Sequence, residues 1–504
     1  MSGPVLHRLV AAQAARTPEV AALRMGDGSL SYADLAARGE RIARGLAALG
    51  LEPGDRIAYL GRNDPRLYEL MMAASAGGFV LVPLNWRLAA AELDVILAAS
   101  RARLLLAERE FALPTGGVEF AMALDDGTYD QWAATCDGPA PRVADDPDRV
   151  VVQLYTSGTT GLPKGVMLTH RNFMGLRDPA LGALPDWVVP GAGEVSLVAM
   201  PMFHVAGIAA TLDMLCTGAG GTVILQREFD LAEYAALLRA DAVTRLCLVP
   251  AMVRAIIDHV PAEACRSPRL RYVLYGASPM TDGLLKDALA SFDAGLVQVY
   301  GLTETAGFVT GMGPDEHKSG DPLITGSIGR PIPGVEIKVV DPAGDALPDG
   351  ETGELWIRSA ATMAGYFERP EDTAAALTAD GWLRTGDAGF IGPAGHILLQ
   401  DRIKNMIISG GENIYPAEVE SAMSTCPGIA DVAVVGVSDD RWGEVPRAFV
   451  VRRDAALGEE MILEWTRARL ARYKVPKSVV FVDALPRNPS GKILHRVLRQ
   501  ESVQ

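Results

Sequence analysis

The sequence predicts an α/β protein with a large N-terminal part and a small α+β unit at its C-terminus. Helical stretches alternate with short apolar strands as far as about Gly334, the texture then turns to short β-rich segments, and after Gln400 a new helix-and-strand pattern begins. At 504 residues the chain is too long for one compact core, since domains run to roughly 100–200 residues each.

SYADLAARGERIARGLAALG reads as a helix with Ser31 as its N-cap, and RIAYLG follows as a strand. Glu69–Gly77 reads as a helix, FVLVPL as a buried strand, AAELDVILAAS as a helix and ARLLLAE as another strand. This order calls for parallel strands joined by crossover helices. A second α/β block is expected from about Val151 to about Gly334, with TVILQ, AVTRLCLVP, LRYVLYG and LVQVYG as strands. Open α/β sheets bind ligands where loops leave the C-terminal strand ends, so YGAS and YGLTE point to one shared crevice. Beyond Gly334, VEIKVVD, GELWIRS and GHILLQDR predict a small β-subdomain. After Gln400, the helices PAEVESAMST and EMILEWTRARL and the strands DVAVVGV, RAFVVR and SVVFVD predict the final unit.

Composition narrows the function classes. A formal charge of −15 works against non-specific binding to nucleic acid or anionic lipid, so any phosphate site must be local. The five cysteines are widely and irregularly spaced and form no C-x-x-C pair, which fits a reducing, cytoplasmic setting. The first twenty residues read as an amphipathic helix rather than a signal peptide, and no apolar run approaches the ~18 residues of an integral membrane segment. The sequence leaves oligomeric state, homo-oligomers included, open.

The strongest local signal is YTSGTTGLPKG, between the strand VVQL and VMLTH. Its three glycines let backbone approach an oxyanion, the hydroxyls of Thr156, Ser157, Thr159 and Thr160 can donate to it, and Lys164 adds a charge. Triphosphate is the natural guest. The spacing is not that of the usual P-loop, because Lys164 is followed by Gly165 rather than by a magnesium-binding hydroxyl.

YTSGTTGLPKG, PMFHVAG, YGLTE, RTGD, DRIKNMIISGGENIYPAEVE and PRNPSGKILHR follow one another in this order, and with this pattern the chain resembles the adenylate-forming superfamily of acyl-CoA synthetases, luciferases and peptide-synthetase adenylation domains. The resemblance extends over nearly the whole chain. It implies two stacked α/β subdomains plus a distorted β-barrel in residues 1–400, and a small mobile lid in 401–504 with its hinge near Lys404. It implies ATP, Mg2+ and coenzyme A as ligands and a carboxylic acid as substrate.

By the same resemblance, Thr156, Ser157, Gly158, Thr159, Thr160 and Lys164 meet phosphates, while Gly276, Ala277 and Ser278 line the adenine slot beside Tyr300 and Gly301. Thr303 takes a phosphate hydrogen bond and Glu304 the metal; alone, a Glu after Thr is more often a cap or a solvated residue. Asp387 accepts the ribose hydroxyls and Arg402 supports ribose or phosphate. Lys492 bridges the substrate carboxylate and the α-phosphate, where a cation offsets the repulsion between two anions; alone it would read as an exposed surface lysine. After lid rotation Gly410 and Gly411 give clearance to the pantetheine arm.

The family often has aspartate after the hinge lysine, whereas this chain has Asn405. Trp442 and Tyr473 match aromatic positions that stack on the CoA adenine in chlorobenzoate-type ligases. Val475 stands where those ligases carry arginine, leaving Arg472, Lys474 or Lys477 for the CoA phosphates, with a solvated basic helix end an equal reading. His204 matches the gate of the acyl pocket, although a satisfied core histidine is the plainer interpretation of the residue alone. Val205, Gly207, Ile208, Val249, Met252, Gly301 and Phe308 are expected to wall that pocket, so the acyl tail is expected to be uncharged: a medium-chain fatty acid or an aromatic acid. The rivals to a CoA ligase are an acyl-AMP ligase that loads a carrier protein, a luciferase-like oxygenase and a non-catalytic sensor.

Overall fold

The computed structural model describes residues 4–501 except 112–116, 142, 157–162, 182–183, 218–219, 241–242, 410–411, 440 and 488–492, and the side chains of 179, 404, 413, 496, 500 and 501 are also outside the description. Its architecture is mixed α/β with four sheets. In the first sheet, the parallel strands Arg56–Leu60, Val80–Pro83, Ala102–Ala107 and Phe120–Ala123 meet Val150–Thr156, and Lys164–Thr169 and Gly365–Tyr366 complete one edge in antiparallel sense. The second sheet runs in the order Arg330–Pro331, Gly307–Met312, Gly295–Leu302, Tyr272–Gly276, Arg245–Leu248, Val195–Val198, Thr222–Leu225, Ala21–Met25 and Gly28–Ser31.

The two sheets do not divide the chain as the sequence pattern suggests. Val150–Thr156 pairs with Val80–Pro83 through Leu81 and Val152, so the start of the expected second block belongs to the first sheet. Conversely, Ala21–Met25 pairs in parallel with Thr222–Leu225 of the second sheet. Burial explains the exchange: Val151, Val152 and Leu154 are all buried, and such a strand needs cover on both faces. One continuous core joins residues of both sheets, with Leu6, Leu35, Met71, Val152, Leu212 and Val223 among its members. Polar ties cross the same seam, where the Asn63 amide donates to the Met200 and Gln226 carbonyls at 3.0 Å each.

Local signals account for the helix boundaries. Ser31 caps Tyr32–Ala48: its hydroxyl accepts from the Asp34 N–H at 3.1 Å, and Asp34 reaches back to the Ser31 N–H. The helix expected at Glu69 starts earlier, at Pro65, because Asp64 caps it and proline is favoured in a first turn.

The β-rich stretch forms a four-stranded antiparallel sheet of Val335–Val340, Gly353–Ser359, Leu383–Ile391 and Ile397–Arg402. The last sheet contains Glu412–Ile414, Ile407–Ser409, Gly443–Arg452 and Ile429–Asp439, with Ser478–Phe481 beside Gly443–Arg452. Its separate core includes Ile407, Val419, Val434 and Ile462. Among the described residues no helix is long and apolar enough to cross a membrane.

Candidate functional site

Thr156 and Lys164 end two antiparallel strands and face each other in the ladder, so the elements on either side of the glycine- and hydroxyl-rich segment are both strands. A P-loop instead leads from a strand into a helix, so the unusual spacing reflects a different backbone framework. Of this segment, Ser157, Gly158, Thr159 and Thr160 lie outside the described residues, as do Gly410, Gly411 and Lys492.

YGAS and YGLTE do share one sheet edge. Tyr272–Gly276 and Gly295–Leu302 are parallel neighbours, and Gly276 lies opposite Val299, one residue before Tyr300. A Cβ at Gly276 would collide with the Val299 carbonyl, and one at Gly301 with the Gly307 carbonyl. Ala277 follows at φ 67°, a left-handed conformation uncommon outside glycine, and Ser278 is half-buried beside it. Thr303 and Glu304 occupy a short 3₁₀ turn, both half-buried.

Asp387 is the centre of a compact polar group. It is 5% exposed, and its carboxylate accepts from the Tyr300 hydroxyl at 2.6 Å and pairs with Arg402 Nε at 2.6 Å. The ladder places Asp387 directly opposite Arg402, which positions the pair without a long-range turn. Burial, reinforced by the Asp387 charge, holds the Tyr300 phenol well above its ordinary pKa, so the hydroxyl remains a donor.

A second group lies beside it. Lys164 Nζ meets Asp372 Oδ1 at 2.5 Å and stands 5.2 Å from the centroid of the Tyr366 ring, while the Tyr366 hydroxyl donates to Glu304 Oε1 at 2.9 Å. Burial and the Glu304 charge push the Tyr366 phenol up, and Arg402 pulls in the opposite direction, so the two groups share one electrostatic environment. Backbone contacts brace the arrangement, with the Met363 N–H donating to the Glu304 carbonyl at 2.8 Å and the Phe367 N–H to the Gly165 carbonyl at 2.8 Å. Tyr366 and Asp372 escape a motif-based reading because their stretch, GYFERPEDT, reads only as β-rich chain. The available signal was Pro370 followed by Glu371 and Asp372, the pattern of a helix first turn.

His204 is the N-cap residue of Val205–Cys216, and its ring lies 4.6 Å from that of Phe203. The same helix packs beside the segment that follows YGLTE, where a Cβ at Gly307 would come 3.2 Å from Ala209 Cβ. Ile208 is fully buried and Met252 belongs to the core of the second sheet, whereas Phe308 lines a cavity of about 20 Å³, room for one water. Behind the Phe308 ring, Arg177 lies 5.0 Å from its centroid and forms a two-point ion pair with Asp213, at 2.9 Å for both bonds.

Trp442 and Tyr473 are 41% and 40% exposed, and among the described residues neither makes a hydrogen bond or ring contact with the Asp387 or Lys164 groups. Of the three basic candidates near Tyr473, Lys474 is engaged by both oxygens of Glu418 at 2.6 and 2.7 Å. Lys404 lies in the 3₁₀ turn Ile403–Asn405, and the Asn405 amide donates to Asp401 Oδ1 at 3.1 Å. An aspartate at 405 would face that carboxylate with like charge, so asparagine suits its neighbour here.

Among the described residues no group of three His, Cys, Asp or Glu side chains is arranged to hold a metal. One half-buried carboxylate, Glu304, still fits Mg2+, which is commonly held by one or two carboxylates together with substrate phosphates.

The chain resembles known proteins over nearly its whole length. Residues 10–367 match the model of the AMP-binding enzyme family and residues 418–492 that of the AMP-binding enzyme C-terminal domain. The chain is 41% identical over 482 residues to a fatty acid–[acyl-carrier-protein] ligase, ScoC, of Streptomyces coeruleorubidus, covering 94% of this chain and 91% of that one. It is 40% identical over 494 residues to a feruloyl-CoA synthase of an Amycolatopsis species, covering 97% of both. The o-succinylbenzoate CoA synthetase MenE of Bacillus subtilis, solved with its acyl-adenylate intermediate OSB-AMP, superimposes with a TM-score of 0.85 at 30% identity, over 97% of each chain. The chain therefore belongs to the AMP-binding enzyme family, the AMP-forming acid–CoA ligases of the adenylate-forming superfamily.

Proposed function

We propose that this enzyme activates a medium-chain fatty acid or an aromatic acid in two steps within the crevice between Lys164 and Asp387. The observation that carries the reading is the convergence of Tyr300, Asp387 and Arg402 beside Lys164, Tyr366 and Glu304. In the first step a carboxylate oxygen of the substrate attacks the α-phosphorus of ATP, the bond to the β-phosphate bridge breaks, and pyrophosphate leaves. In the second, the sulfur of CoA attacks the acyl carbonyl, the thiol proton passes to solvent, and AMP leaves.

Asp387 takes the ribose hydroxyls, with Arg402 at its side, and Gly276, Ala277, Ser278, Tyr300 and Gly301 frame the adenine. Thr156, Ser157, Gly158, Thr159, Thr160, Thr303 and Lys164 hold the phosphates. Mg2+ bound at Glu304 would offset phosphate charge. Lys492 supplies the cation at the reacting phosphorus, and His204 borders the acyl carboxylate. Residues 1–400 form the substrate-binding domain and 401–504 a lid that turns about Lys404, exchanging the Lys492 face for the Gly410–Gly411 face. Trp442 and Tyr473 then meet CoA. The acyl choice rests on the apolar residues Ile208, Met252 and Phe308, and on relatives whose names specify a fatty acid and ferulate.

Lys492→Ala tests the division of labour: it abolishes acyl-adenylate formation, read as pyrophosphate release, while transfer from supplied acyl-AMP to CoA continues. Equal loss of both half-reactions contradicts the assignment. A second reading, transfer to a carrier protein, is favoured by the likeness to ScoC. AMP release with free CoA as sole acceptor supports the CoA reading, and turnover only with a carrier protein supports the other.

A further inference from the structure

Lys164 is already neutralised. Its ammonium forms a 2.5 Å ion pair with Asp372, a residue 208 positions away, and the two side chains are 15% and 27% exposed. Local geometry holds the carboxylate in place. Gly365–Tyr366 adds to the edge of Lys164–Thr169, bringing the helix Pro370–Ala376 over Lys164 with Asp372 in its first turn. Thr373 fixes the join, its hydroxyl accepting from the Tyr366 N–H at 2.9 Å and donating to the Arg369 carbonyl at 2.8 Å. The Tyr366 ring borders the same ammonium, and its hydroxyl engages Glu304.

We infer that Asp372 is the resident counter-ion of Lys164, which the terminal phosphates of ATP, or pyrophosphate, must displace, and that it thereby sets how tightly the site holds those anions. The inference rests on the reading that Lys164 meets these phosphates. A half-buried ammonium without a partner would be costly between turnovers, and Asp372 removes that cost. When a polyphosphate arrives, one ion pair is exchanged for another, and the displaced carboxylate, being partly exposed, turns to water. Its negative charge stays close to the bound anion and opposes it, which favours departure of pyrophosphate after adenylation. Asp372 is thus a positioning residue that acts through Lys164.

The test is calorimetric binding of inorganic pyrophosphate, and separately of AMP, to the full chain. Asp372→Asn removes the charge and keeps the shape. The expected result is pyrophosphate binding tighter by about three- to tenfold, the range that a partly buried ion pair of about 1 kcal/mol supports, with AMP affinity changed by less than about twofold. Asp372→Glu restores affinity toward that of the wild type, and adding Lys164→Gln to Asp372→Asn erases the gain. Unchanged or weaker pyrophosphate binding in Asp372→Asn, with Lys164→Gln alone weakening it, overturns the counter-ion role and leaves the phosphate reading standing. Wild-type pyrophosphate binding in Lys164→Gln overturns the phosphate reading itself. An equal shift in AMP and pyrophosphate affinity in Asp372→Asn overturns the inference in favour of a structural role.

Discussion

His170 lies 1% exposed beneath the N-terminal helix, with the Leu6 N–H pointing at its Nδ1 from 3.5 Å. An accepting Nδ1 requires the neutral ring. Burial, assisted by the charges of His7 and Arg149 against that of Asp145, lowers its pKa from 6.5 to about 3. The unfolded chain therefore binds a proton through this window that the folded chain refuses, and stability falls as pH drops below about 6.5. Between pH ~7.5 and ~5.5 this one group should cost about 1 kcal/mol. Urea unfolding at both pH values checks it: His170→Gln should show a shallower pH dependence than the wild type, and identical slopes would refute the assignment. Asp387 shows a different use of burial. Its buried carboxylate is met by the Tyr300 hydroxyl and by Arg402, an arrangement suited to a group that receives hydroxyl donors.

The helix Tyr32–Ala48 shows how elements are fixed by local chemistry and then by packing. Its capping box joins Ser31 and Asp34, and at Gly39 the helix approaches Pro65–Gly77 so closely that an added Cβ would lie 2.6 Å from Met72 Cβ. Ser31→Ala should destabilise the protein by about 1 kcal/mol, seen as a lower Tm, with unchanged ATP affinity because the cap lies outside the crevice. No change in Tm would show that packing alone sets this end. At the other end of the chain, Asp401 gathers three donors: the Arg402 N–H, the Asn405 amide and the Ala417 N–H. The helix His495–Glu501 reaches the same segment, with Arg499 donating to the Asn405 carbonyl at 3.3 Å.

Across the whole molecule, the proposed two-step chemistry needs this Asp401–Asn405 segment to change conformation, since one arrangement cannot present both the Lys492 and the Gly410–Gly411 faces. Lys404→Pro should hold it in one state, because proline fixes φ near −65° and restricts Ile403 as well. Adenylation should persist while thioester formation falls by at least about tenfold, measured as acyl-AMP accumulation in single turnovers. Loss of adenylation with retained thioester formation would place the locked state at the other end of the rotation, and unimpaired turnover would remove Lys404 as a hinge.

Much of this protein was legible from order along the chain: the alternating elements, the Ser31 cap, the placing of YGAS and YGLTE at the ends of strands that share a crevice, and the run of motifs marking the family. Those features depend on neighbours a few residues apart, where periodicity and backbone sterics act directly. Which sheet receives Val150–Thr156, how Asp372 comes to neutralise Lys164, and why Arg177 and Asp213 stand behind Phe308 depended on folding in three dimensions. Burial of both strand faces and the pairing of charges withdrawn from water are satisfied only by partners that the folded chain brings together from distant positions.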